Sequence, residues 1–213
     1  MNTSITHITW GAPSFWIERL PLFFGRQMGI FERQGIRPSI KIFHGGPELM
    51  QAVHNGEVHV GEIGLPPFLK AFSKGLPARI IGSTFIQQLD HYVAARPDIP
   101  SLSRLKNRNF GILSRGSCDE YFIRKLLTLE NLDPETDVTL VPLGDEYGDL
   151  TCFQTGLIDA SFLVEPVLSL GESSGRIRIL ARVGDHFPRY QWGGIFASNA
   201  CLESQRDVLD ALM

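Results

Sequence analysis

Two periods of apolar patterning alternate along the chain, and the stretch from Asn55 to Phe72, NGEVHVGEIGLPPFLKAF, shows both. Val58, Val60 and Ile63 supply the apolar positions of a short strand, and Gly56 and Gly64 interrupt the chain at either end. Pro66 is placed to open a helix at its first position, where a missing N–H costs nothing. Gly75 predicts the end of that helix, and ARIIGSTF returns as a strand. Upstream, SITHITW predicts a first strand and GAPSFWIERL an aromatic-rich loop. Pro21 then opens a short helix stopped at Gly29, FERQG makes one turn ending at Gly35, and SIKIF is a second strand. HGGPELMQAVHNG adds a helix begun at Pro47, with Leu49, Met50 and Val53 on one face.

From Phe85 the pattern changes. HYVAA is extended, and the Pro-, Ser- and Asp-punctuated segment after it marks a crossing into a second lobe. NFGILS is a strand, and Ser117, Cys118, Asp119 and Glu120 match a capping box at the head of the helix YFIRKLLTLENL. TDVTLVPL, LIDASFLV and RIRILARVG follow as strands, separated by the helices of GDEYGDLTCFQTG and EPVLSLGESSG. YQWGGIFAS returns toward the first lobe, so two crossing segments form a hinge. The last ten residues predict a helix beginning near Glu203 with no capped end, and the chain is expected to continue in nature.

A shift of one hundred residues lays the second series on the first. Gly56, Pro66 and Gly75 fall on Gly156, Pro166 and Gly175, with Val58 on Ile158, Ile63 on Leu163 and Ile80 on Leu180. The shared order of glycine, strand, proline and helix predicts two similar α/β lobes, each a mostly parallel sheet flanked by helices. Residues 1–88 and 190–213 are expected to form the first lobe and residues 89–189 the second.

Composition narrows the function. With 213 residues, 43% hydrophobic and 20% charged, the chain reads as an ordinary globular protein able to bury a core. A net charge of −3 leaves no basic footprint for nucleic acid. No apolar run reaches membrane-spanning length, and MNTSITHITW lacks the basic start and apolar core of a secretion signal. The protein is therefore expected to be cytoplasmic, or periplasmic if a leader has been removed. Cys118, Cys152 and Cys201 are scattered and odd in number, against a disulfide framework or a zinc knuckle. His7, His54, His59, His91 and His186 show no ligand spacing, so neither a metal nor a cofactor is expected.

The candidate chemistry lies in loops at strand ends. Gly45 and Gly46 precede a helix and leave N–H groups for a polar ligand, with His44 beside them. Such loops are equally often plain tight turns. Ser117 combines a hydroxyl with a helix N-terminus, although its ordinary role is an N-cap. Asp119 and Glu120 in that first turn compete with an anionic ligand unless Arg115 offsets them. Trp16, in a loop, is a better ligand wall than Trp10 or Trp192, which lie on predicted strands and are expected to pack.

PLFFGRQMGIFERQGI, GGPELMQAVHNGEVHVGEIGLPPFLKAFSKG, LENLDPETDVTLVPLGD and GLIDASFLVEPVLSLGE resemble successive signatures of the nitrate, sulfonate and taurine (NMT1/THI5-like) class of ABC-transporter substrate-binding proteins. The resemblance runs from about Trp10 to the last residue. It implies a type II periplasmic-binding-protein fold holding a small anionic or aromatic ligand between its lobes, delivered to a transporter permease. It further implies binding roles for Gly11, Ser14, Gly45, Gly46, Gly64 and Leu65 in the first lobe. In the second it implicates Ser114, Gly116, Ser117 and Glu165. Relatives of the class include a desulfinase with a cysteine in the first loop and a thiamine-pyrimidine synthase with a cysteine-rich motif, and neither feature occurs in GAPSFW. Ligand capture without turnover is thus the leading expectation. A cytosolic enzyme on the same scaffold, for which Cys118 at a helix head is the reactive candidate, and a ligand-sensing domain are the alternatives.

Overall fold

The computed structural model describes residues 5–16, 19–84, 91–144 and 148–213. Ser4 of the first predicted strand, residues 85–90 at the start of the crossing segment, and Asp145 and Glu146 of the predicted loop lie outside the described residues. The chain divides into two compact units, Met1–Thr84 with Gly193–Met213, and Phe85–Trp192.

In the first unit, β1 (Thr6–Ala12), α1 (Leu20–Gln27), α2 (Ile30–Arg33), β2 (Ile36–Ile42), α3 (Gly46–His54), β3 (Val60–Gly64), α4 (Leu65–Phe72) and β4 (Ala78–Ser83) follow in order. The last segment of the chain adds β10 (Gly193–Ser198), α9 (Asn199–Ser204) and α10 (Arg206–Leu212). The strands form one sheet in the order β2-β1-β3-β10-β4, with β1 parallel to β2 and β3, and β10 antiparallel to β3 and β4. Pro38 is tolerated because β2 is an edge strand, where a missing N–H leaves no ladder partner unmet. Apolar residues cover both faces. Leu49, Met50, Val53, Ile63, Phe68 and Phe196 pack beneath α3 and α4, while Ile8, Trp10, Leu22, Val60, Ala197 and Leu209 pack on the opposite side.

The second unit repeats this plan. It holds β5 (Tyr92–Ala95), a 3-10 turn at Leu102–Leu105, β6 (Arg108–Ile112), α5 (Cys118–Leu129), β7 (Val138–Pro142) and α6 (Asp149–Thr155). Then come β8 (Ala160–Leu163), α7 (Val167–Ser173), β9 (Arg178–Arg182) and α8 (Val183–His186). The sheet order is β7-β6-β8-β5-β9, again with the one antiparallel strand, β5, between the third and the last. The registers agree residue for residue across the hundred-residue shift: Ile8 pairs with Pro38 and Arg108 with Val138, Trp10 with Val60 and Phe110 with Ala160. A junction residue before the third strand is shared too. His59 donates its N–H to the Thr9 carbonyl and accepts the Thr9 N–H on Nδ1. Asp159 does both for Asn109, accepting on Oδ2. Gly56, Gly156, Gly75 and Gly175 all sit at positive φ, the left-handed backbone that glycine adopts without steric cost.

Several details differ from the sequence expectations. Ile80 corresponds to Ile179 rather than Leu180, because Phe196 opposite Ile80 matches Ala94 opposite Ile179 in the bulged antiparallel pairings. Gly64 makes no tight turn; its backbone stays extended (φ −65°, ψ 144°) and caps α4 directly, so Leu65 is the first helical residue and Pro66 the second. Gly11 and Ala12 belong to β1 rather than to the loop after it. The terminal helix begins at Asn199, capped by the Ser198 hydroxyl, and breaks at Gln205 into α10.

The centre of the first sheet leaves no room for a side chain at Gly61. A β-carbon there would lie 2.2 Å from the Gly11 carbonyl oxygen and 2.8 Å from the Phe196 ring. Backbone cannot yield as a flexible side chain does. Gly61→Ala is therefore expected to lower stability by about 2–3 kcal/mol, read from urea unfolding followed by circular dichroism.

Candidate functional site

In a mostly parallel sheet, the loops that leave the carboxyl ends of the strands gather on one edge, and ligands bind there. In the first unit, that edge collects three of the sequence-predicted segments. The Gly45 N–H donates to the Pro13 carbonyl at 2.7 Å, tying the loop after β1 to the loop after β2. Gly46 abuts α4 so closely that a β-carbon would lie 2.7 Å from Pro67, which brings the head of α3 against the Gly64–Leu65 junction. Gly11, Ser14 and Trp16 are buried, and Gly64 and Leu65 are partly exposed. His44 is exposed, and its N–H donates to the Glu48 carboxylate at 2.6 Å in a self-contained first-turn bond.

The first unit also buries two charges that the sequence reading passed over. Arg19, just before α1, and Glu62, in the middle of β3, are 5% and 8% exposed, and the arginine Nε lies 3.3 Å from the glutamate Oε1. The Arg19 guanidinium also stands 5.9 Å from the centre of the Trp16 ring. Burial raises the Glu62 carboxyl above its ordinary range despite the opposing pull of Arg19. An acid between Gly61 and Ile63 in a strand of buried residues was the available signal, since such a charge needs a partner.

In the second unit, the loop after β6 is largely occupied by its own helix. Ser117 caps α5, its Oγ accepting the Glu120 N–H at 3.4 Å. The Glu120 carboxylate reaches back to the Gly116 N–H (2.6 Å), one residue earlier than a capping box requires, and Asp119 accepts the Leu113 N–H (2.9 Å). Arg115 donates to Glu120 (3.2 Å) and to the Leu140 carbonyl (2.9 Å). The acids of the first turn thus take loop donors that a ligand would otherwise meet. Burial pushes Glu120 up, but the Gly116 N–H and the Arg124 and Arg115 guanidiniums outweigh it and leave the carboxyl below its usual range. One group stays unused: the Ser114 Oγ is buried and has no hydrogen-bond partner among the described residues.

Glu165 is exposed and turned onto its own helix, accepting the Ser169 hydroxyl (2.8 Å) and N–H (3.2 Å). Trp192 is buried, its ring stacked on Phe122 with centroids 5.1 Å apart and set 3.9 Å from His91. Tyr190 completes this cluster against Phe122 and Tyr121, and carries no signal in the sequence. The cysteines form no disulfide, and Cys118 is buried at the first position of α5. Among the described residues, no group of three or more His, Cys, Asp or Glu side chains is placed to hold a metal. Among those residues, no helix is long and apolar enough to cross a membrane.

Asp119 is the buried carboxylate whose titration bears on this loop. Burial, only partly offset by the Leu113 N–H, lifts its pKa to about 6. A carboxyl that holds its proton more tightly folded than unfolded adds stability below the unfolded value near 4, and that contribution is lost as pH rises through about 6. Asp119→Asn, which keeps an acceptor for Leu113, is expected to match the parent protein at pH 4 and to exceed its stability by about 1–3 kcal/mol at pH 7. Thermal melts across that window check it.

The NMT1-like family matches residues 12–170, a span that includes the strand-end loops of both units. The Bacillus subtilis (strain 168) protein named "Putative binding protein YtlA" is 22% identical over 191 residues, covering 88% of this chain; the chain spans 57% of that relative's length. The alkanesulfonate-binding protein SsuA from Xanthomonas axonopodis pv. citri, solved bound to MOPS, superposes with a TM-score of 0.82 at 18% identity, over 98% of this chain and 71% of that one. A Bordetella bronchiseptica RB50 protein gives 0.84 at 25% identity, over 97% and 68%. The architecture is the one these proteins share, that of the periplasmic binding proteins.

Proposed function

The chain belongs to the NMT1-like family, and from that premise we propose that it is a solute-binding protein that captures a small anionic or aromatic ligand and releases it unchanged. The observation that supports this reading is the family match itself, because its span, residues 12–170, takes in the loops after β1, β2, β3 and β6 where the candidate residues sit. The architecture shared with an alkanesulfonate-binding protein agrees with it. The buried Ser114 hydroxyl, which has no hydrogen-bond partner among the described residues, supports a polar contact to the ligand.

A sulfonate or nitrate is the ligand class proposed, with taurine among the candidates; within the first unit the candidate contacts are Ser14, Trp16, the Gly45–Gly46 loop, Gly64 and Leu65, and within the second unit, taken by itself, Ser114. Arg115, Gly116, Ser117, Glu165 and Trp192 already have intramolecular partners and are assigned supporting roles. Delivery to an ABC-type permease and a periplasmic location complete the proposal. An enzyme reading has less support, since its one candidate nucleophile, Cys118, is buried at the start of α5.

A ligand that binds only the folded state stabilises it by mass action, about 2.7 kcal/mol at a concentration one hundred times its dissociation constant. Melting the protein with taurine, ethanesulfonate, MOPS, nitrate and benzoate is expected to show a concentration-dependent rise for at least one. Proton NMR of the recovered organic ligand should find it chemically intact. No rise with any of them, or conversion of one, would end the capture reading.

A further inference from the structure

Arg19 is the only buried arginine among the described residues, and its donors are not all met there. Its backbone N–H donates to the Trp16 carbonyl, and its side chain lies against Glu62 in the middle of β3. The guanidinium carries five N–H donors in a rigid fork. Glu62 approaches the Nε at 3.3 Å, yet neither Nε nor Nη1 has a hydrogen-bond acceptor in proper geometry among the described residues, although both atoms are buried. An ion pair kept for stability alone is expected to satisfy its donors, because a half-satisfied buried pair is worse than an apolar replacement. Arg19 and Glu62 instead keep a cation desolvated, oriented against an aromatic ring and short of acceptors.

On the solute-binding reading given above, the geometry points to Arg19 as the residue that holds the ligand's oxyanion group in the first unit. Glu62 acts as the counter-charge that fixes the guanidinium while no ligand is bound. A planar fork short of acceptors suits a sulfonate, nitrate or carboxylate, whose oxygens accept two parallel N–H bonds. Glu62 competes for the same donors and repels the incoming anion, so it sets the affinity from the opposite direction. Trp16, with its ring 5.9 Å from the guanidinium, covers the site on one side.

The assignment is tested by calorimetric titration and thermal melting of the full chain with methanesulfonate, nitrate and acetate, and with methanesulfonamide as the neutral analogue. The double variant Arg19→Gln with Glu62→Gln removes both charges together, leaving no unpaired ion, and is expected to melt within a few degrees of the parent. It should need at least about tenfold more anion for the same response. Glu62→Gln alone is expected to bind the anion more tightly than the parent, while methanesulfonamide responds to neither change. A double variant that answers anions as the parent does overturns the assignment and leaves the capture reading standing. So does a parent protein that answers neutral solutes but no oxyanion. A parent that answers nothing overturns both. Should the double variant not fold, Glu62→Gln decides alone, and an affinity equal to or below that of the parent refutes the role.

Discussion

Each sheet in this protein is closed by an antiparallel strand threaded between its third and last parallel members, and that insertion is the constraint the remaining structure answers to. In the first unit the inserted strand is β10, which begins at Gly193, far along the chain from β4 ending at Ser83. It pairs with β3 on one side and β4 on the other, and its Phe196 is fully buried against Phe68, with ring centroids 6.4 Å apart. Gly61 opposite Phe196 has no space for a β-carbon, so this contact also explains a glycine in the middle of a central strand. Loop closure over so long a separation costs entropy that only the completed sheet recovers. The third strand, and the loops that leave it, are therefore fixed only once β10 is in place.

The second unit solves the same problem with β5, which comes first in its own stretch of chain rather than last. The two units nonetheless share strand order, pairing register and a junction residue that uses both its backbone and its side chain. That junction is a histidine in one and an aspartate in the other, His59 and Asp159. What is common to a basic ring nitrogen and a carboxylate oxygen is the accepting lone pair, which is all the Thr9 or Asn109 N–H requires. Geometry has thus been kept at this junction where residue identity has not.

Much of this was legible in the sequence for local reasons. Positive-φ glycines at Gly56, Gly75, Gly156 and Gly175 and prolines at helix starts punctuate the chain, and apolar spacing supplies what lies between. The parts that were not legible depend on partners distant in sequence. Val58 reads as the start of a strand, but its neighbour His59 is held by the Thr9 backbone, and β3 begins only at Val60. The capping box at Ser117 was read correctly as a helix start, whereas the diversion of Glu120 to the Gly116 N–H depends on how the loop turns. Arg19 and Glu62 lie in different elements, so no spacing rule links them. The two apolar neighbours of α5 that became a packed cluster, Tyr190 and Trp192, come from the far end of the same unit.

The candidate site inherits this dependence. Glu62 stands on β3 directly opposite Ile195 of β10, so the inserted strand sets the position of the charge that holds Arg19. Hydrogen exchange of the intact chain against a chain ending at Trp192 measures that dependence most directly. Amides of β3 and β4 should exchange slowly in the intact protein and lose protection without β10, while β6 and β8, whose sheet is complete before Gly193, keep theirs. Undiminished protection of β3 in the shortened chain would contradict the account.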